Sequence, residues 1–236
     1  MIPRIIHQVW LGESGGPNPP VEFQQAAMSW QRHHHNWEYR LWGSAEIRQL
    51  ITEARPDLQE LYDRYPHWVQ RADAARYVIL HKHGGIYADL DIICQSNFEF
   101  IRKFDLMLAP TKPLGVSNDL MAAKAGHPLF NRLLDELPLS FQRWQKPWIP
   151  PHFRIMCSTG SLHLSRIFAM LKVNTPVRLL SRKEYGHENK NEGLVSHIDG
   201  NSWAGWDTHG LVFLHSRWKQ ILLAVSVILL VLVFFA

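Results

Sequence analysis

The stretch from Arg71 to Asp91 constrains the fold more than any other part of the 236-residue chain. Trp68, Val69, Ala72, Ala75, Ile79 and Leu80 recur at three- and four-residue steps, so His67 to His83 predicts an amphipathic helix. On that helix Asp73 and Arg76 are i,i+3 neighbours that share a face. Gly84-Gly85 then supplies the left-handed exit that ends a helix. Beyond the glycines, Ile86 to Ile93 is rich in β-branched residues and alternates. Ile86, Ala88, Leu90 and Ile92 fall on one side of the predicted strand, and Tyr87, Asp89 and Asp91 on the other.

Two aspartates at i and i+2 of a strand lie about 6.6 Å apart, close enough to share one cationic partner. Uncompensated, they repel and one of them titrates late. A divalent cation with hard oxygen ligands resolves the conflict, and manganese or magnesium also takes phosphate oxygens. Such an ion neutralises a leaving nucleotide diphosphate. The bland alternative is a solvated strand face beside a surface ion pair worth about a few tenths of a kcal/mol. The carboxylates stand just past a glycine break, inside an apolar strand and next to a second charged pair, and that setting favours a site.

The rest of the chain alternates strands with helices. Ile2 to Trp10, Trp37 to Trp42 and Phe104 to Ala109 read as strands. Val21 to Gln31, Ser44 to Ala54 with Ser44 as its cap, Pro128 to Trp144 and Ser161 to Val173 read as helices, and Gly12 to Pro20 as a loop. This pattern predicts an α/β fold, a mainly parallel sheet with helices on both faces and ligands beyond the carboxyl ends of its strands. With 46% apolar residues the chain has enough material for one such domain and not two. Its excess of four positive charges is dispersed among acids, which argues against nucleic acid. Cys94 and Cys157 form neither a disulfide framework nor a zinc pattern, and read as small buried apolar residues.

From Ile221 to Ala236 the sequence is apolar except for Ser226, and Arg217-Trp218-Lys219 precede it as interfacial anchors. Sixteen helical residues span about 24 Å, a little short of a hydrocarbon core near 30 Å. The expectation is a domain over 1–214 and a juxtamembrane segment with a C-terminal transmembrane anchor over 215–236. No cleavable signal peptide is expected, because Met1-Ile2-Pro3-Arg4 leads directly into a strand. The flanking positive charges favour a cytosolic catalytic domain.

Taken in order, Ile2-Pro3-Arg4-Ile5-Ile6-His7-Gln8-Val9-Trp10, the Arg71 to Asp91 block, Gly115 to Asp119, Gly126-His127-Pro128 and Ser158-Thr159-Gly160 resemble glycosyltransferase family 32, the group with the Asp-X-Asp sugar-binding region. Within it the chain is similar to the fungal inositol phosphorylceramide mannosyltransferases, from Ile2 to about Asp207. The resemblance implies a GT-A-like fold and metal-dependent, retaining transfer of a sugar from a nucleotide donor. GDP-mannose is favoured as donor and an inositol phosphorylceramide as lipid acceptor; a UDP-sugar and a glycan acceptor are the alternative. It also implies Golgi residence if the chain is fungal-like, and leaves room for a regulatory subunit. The clostridial glucosylating toxins share the Ile-His-X-Val-Trp start, and their Val and Trp contact the base, which points to Val9 and Trp10. The helix Asp and Arg that bind the donor sugar there map onto Asp73 and Arg76. Asp89 would contact ribose and sugar, and Asp91 would ligate the metal.

The other motifs carry weaker expectations. Asn118-Asp119 reads either as an Asx turn or as a donor or acceptor contact, with Asp119 the candidate for steering the acceptor hydroxyl. Ser158-Thr159-Gly160 precedes a helix, so its Ser or Thr reads either as an N-cap or, with Ser158 as the candidate ligand, as part of a phosphate site at the helix N-terminus. His197 is the candidate for completing the metal shell, ahead of His215. His33-His34-His35 read as a solvated helix end. Two rivals share some features: an aspartyl-phosphate hydrolase with Asp89 as nucleophile, and a non-catalytic tethered binding protein with the same fold.

Overall fold

A computed structural model describes residues 1–198 except 13–15, 17, 113, 172–174 and 187–191. Along the chain run β1 (Ile5–Val9), α1 (Val21–His33), β2 (Glu38–Trp42), α2 (Ser44–Ala54), α3 (Gln59–Arg64), α4 (Trp68–His83), β3 (Gly85–Ala88), β4 (Ile92–Cys94), β5 (Leu106–Pro110), β6 (Val116–Ala123), α5 (Pro128–Trp144), α6 (Pro151–Ser158), α7 (Ser161–Met170), β7 (Val177–Leu179) and β8 (Val195–His197). The main sheet has the order β2-β1-β3-β6-β5-β7. β1 pairs parallel with β2 and β3, and β5 parallel with β7, whereas β6 runs antiparallel to both of its neighbours. The sheet is therefore mixed and mainly parallel, as the alternating pattern predicts. β4 and β8 form a separate antiparallel ribbon.

The two-residue period of the strands divides the interior. Tyr87, Leu106, Leu108, Met121 and Ala123 face a core shared with α2, α4, α5 and α7. Their neighbours Ile86, Ala88, Met107, Leu120 and Ala122 face a second core built around Trp30 of α1, Ile92 and Phe98. Helices on both faces thus follow from central strands, above all β5 and the second half of β6, that bury apolar side chains on both sides. Gly84 and Gly85 have φ of +65° and +91°. A Cβ on Gly84 would lie 2.5 Å from the Ala125 nitrogen, and one on Gly85 2.5 Å from the Ile5 carbonyl oxygen, so β3 enters the sheet only because both side chains are missing.

Four sequence expectations change. The predicted strand Ile86 to Ile93 breaks after Ala88: Asp89-Leu90-Asp91 forms a turn closed by Ile92 N–H donating to the Asp89 carbonyl at 3.1 Å, and the chain leaves in β4 for the other sheet. The two aspartates therefore flank a turn and do not share a strand face. Gly115 to Asp119 is not a turn throughout, since Val116 onward belongs to β6, buried between β3 and β5. Ser44 is not the cap of α2. Gly43 is, its N–H given to the Glu46 carboxylate at 2.8 Å, while the Ser44 hydroxyl binds the Leu11 carbonyl. His34 is not solvated: it is 2% exposed, lies against Trp30, donates from Nδ1 to the Trp30 carbonyl and accepts the Phe98 N–H at Nε2. Cys94 is buried and Cys157 half-buried, both free.

Among the described residues no helix is long and apolar enough to cross a membrane. The run Ile221 to Ala236, and with it the expected anchor, lies outside the described residues, as does His215.

Candidate active site

The carboxyl ends of β1 and β3, the start of β6 and the helices α4, α6 and α7 enclose a cleft of about 580 Å³. Arg76 is its electrostatic centre. The guanidinium is 5% exposed and lies between Asp73, at 3.3 Å, and Asp89, at 3.2 Å, and Nη1 donates to the Asn118 carbonyl at 2.8 Å. The Tyr87 ring lies beneath it, 4.9 Å from ring centroid to Cζ. A rigid fork of this kind fixes two carboxylates at once, which a lysine cannot do.

Asp73 is pinned from two further sides. Asn118 Nδ2 donates to Oδ1 at 2.8 Å and Thr159 Oγ1 to Oδ2 at 2.7 Å, and burial pushes its carboxyl above the ordinary range despite Arg76. Asp89 accepts from the Tyr87 hydroxyl at 2.7 Å, and its backbone is gripped as well. Its N–H donates to the Asp119 carbonyl at 2.8 Å, and its own carbonyl accepts from Gln8 Nε2 at 3.2 Å. The Tyr39 hydroxyl in turn donates to Gln8 Oε1 at 2.8 Å, so β1 and β2 together fix where the turn begins. The Asp91 carbonyl accepts the Ile198 N–H at 2.8 Å, tying the turn to the end of β8.

The acids on this floor repel one another. Burial pushes the Asp89 carboxyl up to about 6 against the pull of Arg76, with Asp119 adding to the rise. Burial, then Asp89 and Asp119, push Asp91 up to about 7. Asp119 Oδ2 accepts from the Tyr185 hydroxyl, while its Oδ1 is buried without a hydrogen-bond partner. Raised carboxyls beside an unsatisfied carboxylate oxygen suit a divalent cation with hard oxygen ligands. Among the described residues no three His, Cys, Asp or Glu side chains gather closely enough to cage an ion alone.

Val9, Trp10, Asp73, Arg76, Asp89, Asp91, Asn118, Asp119 and His197 all line this one cleft. Trp10 meets Phe23 edge-on with centroids 6.3 Å apart, and His197 sits on β8 in register with Ile92, one residue from Asp91. Ser158 does not reach the cleft wall. It ends α6 fully buried and accepts from Gln70 Nε2 at 2.8 Å, and Gly160 and Ser161 take the place at the wall. The structure adds Tyr87, Tyr185 and Gln8, and within the Ser158-Thr159-Gly160 motif it gives the role to Thr159. Tyr87 carried a readable signal, since it stands two residues before Asp89. The other three arrive from elements 66 to 86 residues away, and no local spacing announces them.

A nucleotide-sized acidic cleft beyond the carboxyl ends of a mixed sheet, floored by an Asp-X-Asp turn, defines a glycosyltransferase of GT-A-like fold. Solved structures agree on the fold. The chain superposes with a TM-score of 0.60 on the UDP-bound glycosyltransferase domain from the YGT toxin, covering 76% of this chain and 79% of that one at 8% identity. It superposes with a TM-score of 0.53 on the PaToxG glycosyltransferase, at 72% and 69% coverage and 17% identity. The family model described as "glycosyltransferase sugar-binding region containing DXD motif" matches residues 20–109. Over 227 residues the chain is 32% identical to inositol phosphoceramide mannosyltransferase 1 of Schizosaccharomyces pombe, covering 94% of this chain and 68% of that protein. It is 33% identical over 208 residues to mannosyl phosphorylinositol ceramide synthase SUR1 of Saccharomyces cerevisiae, covering 86% and 52%. The chain belongs to the glycosyltransferase family whose sugar-binding region contains the DXD motif. It spans from about half to two thirds of the length of these curated relatives.

Proposed function

We propose that the chain transfers mannose from GDP-mannose to the headgroup of an inositol phosphorylceramide, with retention of anomeric configuration, at a membrane to which its C-terminal segment anchors it. The observation that carries this reading is the Arg76 clamp, which holds Asp73 and Asp89 in one fixed arrangement at the floor of a cleft of nucleotide-sugar size. The names of the two yeast relatives support the sugar and the acceptor.

In this reading Val9 and Trp10 hold the base, with Phe23 bracing Trp10. Asp73 accepts from sugar hydroxyls with its remaining lone pairs and Asp89 from ribose and sugar, which positions the anomeric carbon. The donors of Arg76 already engage Asp73, Asp89 and Asn118, so Arg76 acts on the departing diphosphate by charge and by keeping both aspartates in place. Asp91 and Asp89 would hold manganese or magnesium together with phosphate and water oxygens, His197 standing nearby on β8 in register with Ile92, and the ion would supply positive charge beside the diphosphate. The acceptor hydroxyl, steered by Asp119, attacks from the face the diphosphate leaves. The new glycosidic bond forms as the sugar–diphosphate bond breaks, and the hydroxyl proton passes to the departing oxygen. Asp89 has both oxygens engaged by Arg76 and one by Tyr87 as well, an arrangement that does not suit the in-line nucleophile of a phosphohydrolase.

The test combines donor-dependent thermal stabilisation with transfer. At a hundred times its Kd a ligand adds about 2.7 kcal/mol to the folded state. GDP-mannose with manganese is expected to stabilise the wild type and not Asp91→Ala, and label from GDP-mannose is expected in inositol phosphorylceramide. Stabilisation by UDP-sugars alone, or label entering only water-soluble acceptors, overturns the reading.

A further inference from the structure

The connection between α5 and α6 is a built feature that the transfer chemistry leaves unused. Residues 145–150 are stitched by Ile149 N–H to the Lys146 carbonyl at 3.1 Å, and by the Arg154 guanidinium to the Ile149 and Pro147 carbonyls. Gln145 is tied to α4 by Gln70, which also holds Ser158. The result is a fixed loop that presents Trp148 outward with 78% of its surface exposed, followed by Phe153 at 39%. Leu139, Leu162 and Met170 on the packed helices α5 and α7 are exposed as well. Of these, Trp148 and Phe153 stand on or next to the stitched loop, so an ordered backbone holds both rings in the open.

Charge coincides with that surface. Of the Lys and Arg between Glu136 and Glu184, Arg154 is spent on the loop's own carbonyls, and Arg166, Arg178 and Lys183 pair with Glu136, Glu184 and Glu192, so the charge beside Trp148 is that of Arg143 and Lys146. Arg143 is exposed and Lys146 half-exposed on either side of Trp144, next to Trp148. An exposed indole among basic residues suits the headgroup layer of a bilayer with anionic lipids, where the ring sits at the interface and each basic residue is attracted to the surface. Position agrees, because Ile155 and Met156, just past Phe153, and Ser161, next to Leu162, line the catalytic cleft.

We propose that the Trp148 loop, with Phe153, Arg143 and Lys146, docks on an anionic bilayer and seats the mouth of the cleft at the headgroup layer. This contact is separate from any C-terminal anchor and independent of which sugar or acceptor the cleft takes.

The test uses the full chain bound to vesicles of phosphatidylcholine alone or mixed with phosphatidylserine. In a Cys157→Ser background, Trp148→Cys carries an environment-sensitive fluorophore, with Phe153→Cys as a second position should the first fail to fold. Met28→Cys on α1, which packs on the opposite face of the sheet, is the control. The expected result is a blue shift and quenching by nitroxide lipid at 148 and 153 only when phosphatidylserine is present, with a water-like signal at 28. Arg143→Gln with Lys146→Gln is expected to lower the docked-to-undocked ratio about thirtyfold. A water-like signal at 148 and 153 in both vesicle types overturns the proposal, as does an equal shift in phosphatidylcholine alone or the same shift with a soluble polyanion and no vesicles. Because the readout is local to the loop, loss of mannosyl transfer leaves it unaffected.

Discussion

At the scale of single residues the site is a set of acids crowded together at a cost, Asp73 buried and Asp89, Asp91 and Asp119 half-buried. Asp91 shows the consequence. Its folded carboxyl titrates near 7, well above that of an unfolded aspartate, so the stability it contributes is present at low pH and lost as pH rises through 7. Asp91→Asn is therefore expected to stabilise the metal-free protein by roughly 1–2 kcal/mol at pH 8 and to abolish transfer. Urea unfolding in chelator checks this, with the advantage over wild type vanishing towards pH 4. Equal stability at pH 8 would mean that the site is not strained in the absence of a cation. The sequence made part of this legible. Asp73 and Arg76 could be paired because helical periodicity fixes what lies three residues away, and Asp89 and Asp91 stood out by composition. Thr159 and Tyr185 could not be assigned, because a hydroxyl that meets a carboxylate across 66 or more residues leaves no trace in local spacing.

At the scale of elements the informative discrepancy is the break after Ala88. Ile86, Ala88 and Ile92 keep strand alternation and all reach the same core, so the pattern runs on through a turn that the backbone does not pass as a strand. What ends β3 is tertiary: Gln8 binds the Asp89 carbonyl and the Asp119 carbonyl binds its N–H, while β4 is drawn off to pair with β8. Similarly, Ser117, Asn118 and Asp119 are turn-forming residue types, yet they lie in β6, where pairing in the sheet overrides that preference, while Gly115 stays in the exposed turn before it at φ +112°. The glycine break was legible because only a glycine pair tolerates it. Gly85→Ala places a methyl on the Ile5 carbonyl at positive φ, and is expected to cost about 1–3 kcal/mol from backbone conformation alone. In urea unfolding the midpoint is expected to fall with the m-value unchanged. Since β3 delivers Asp89, donor affinity is expected to fall with it, and a variant as stable as wild type would show that β3 enters the sheet without needing the glycine.

Across the whole molecule buried histidines and half-buried acids oppose each other. His7, whose Nε2 donates to the Gly84 carbonyl while Nδ1 accepts from Trp42 Nε1, is held down to about 3 by burial. His163, between Ser140 and the Leu133 carbonyl, is held down to about 4, again by burial. A histidine whose folded pKa lies below its unfolded value keeps its full contribution above about 6.5 and loses stability as pH falls, because the unfolded chain takes the proton first. By pH 5 each costs about 2 kcal/mol. Asp89 and Asp91 act with the opposite sign, since their folded carboxyls take up protons before those of the unfolded chain. The metal-free wild type is thus expected to show a shallow stability profile from pH 7.5 to 5, the two sets offsetting each other. In Asp89→Asn with Asp91→Asn that offset is gone, while Asp73, also raised, and His34, His81, His83 and His127, also lowered, act alike in both proteins, so stability is expected to fall more steeply than in the wild type over the same interval. Denaturant titrations of both proteins across that range, in chelator throughout, decide the matter. Parallel profiles would mean that the aspartates are already compensated inside the folded chain, and the need for a cation at the floor of the cleft would lose its electrostatic basis.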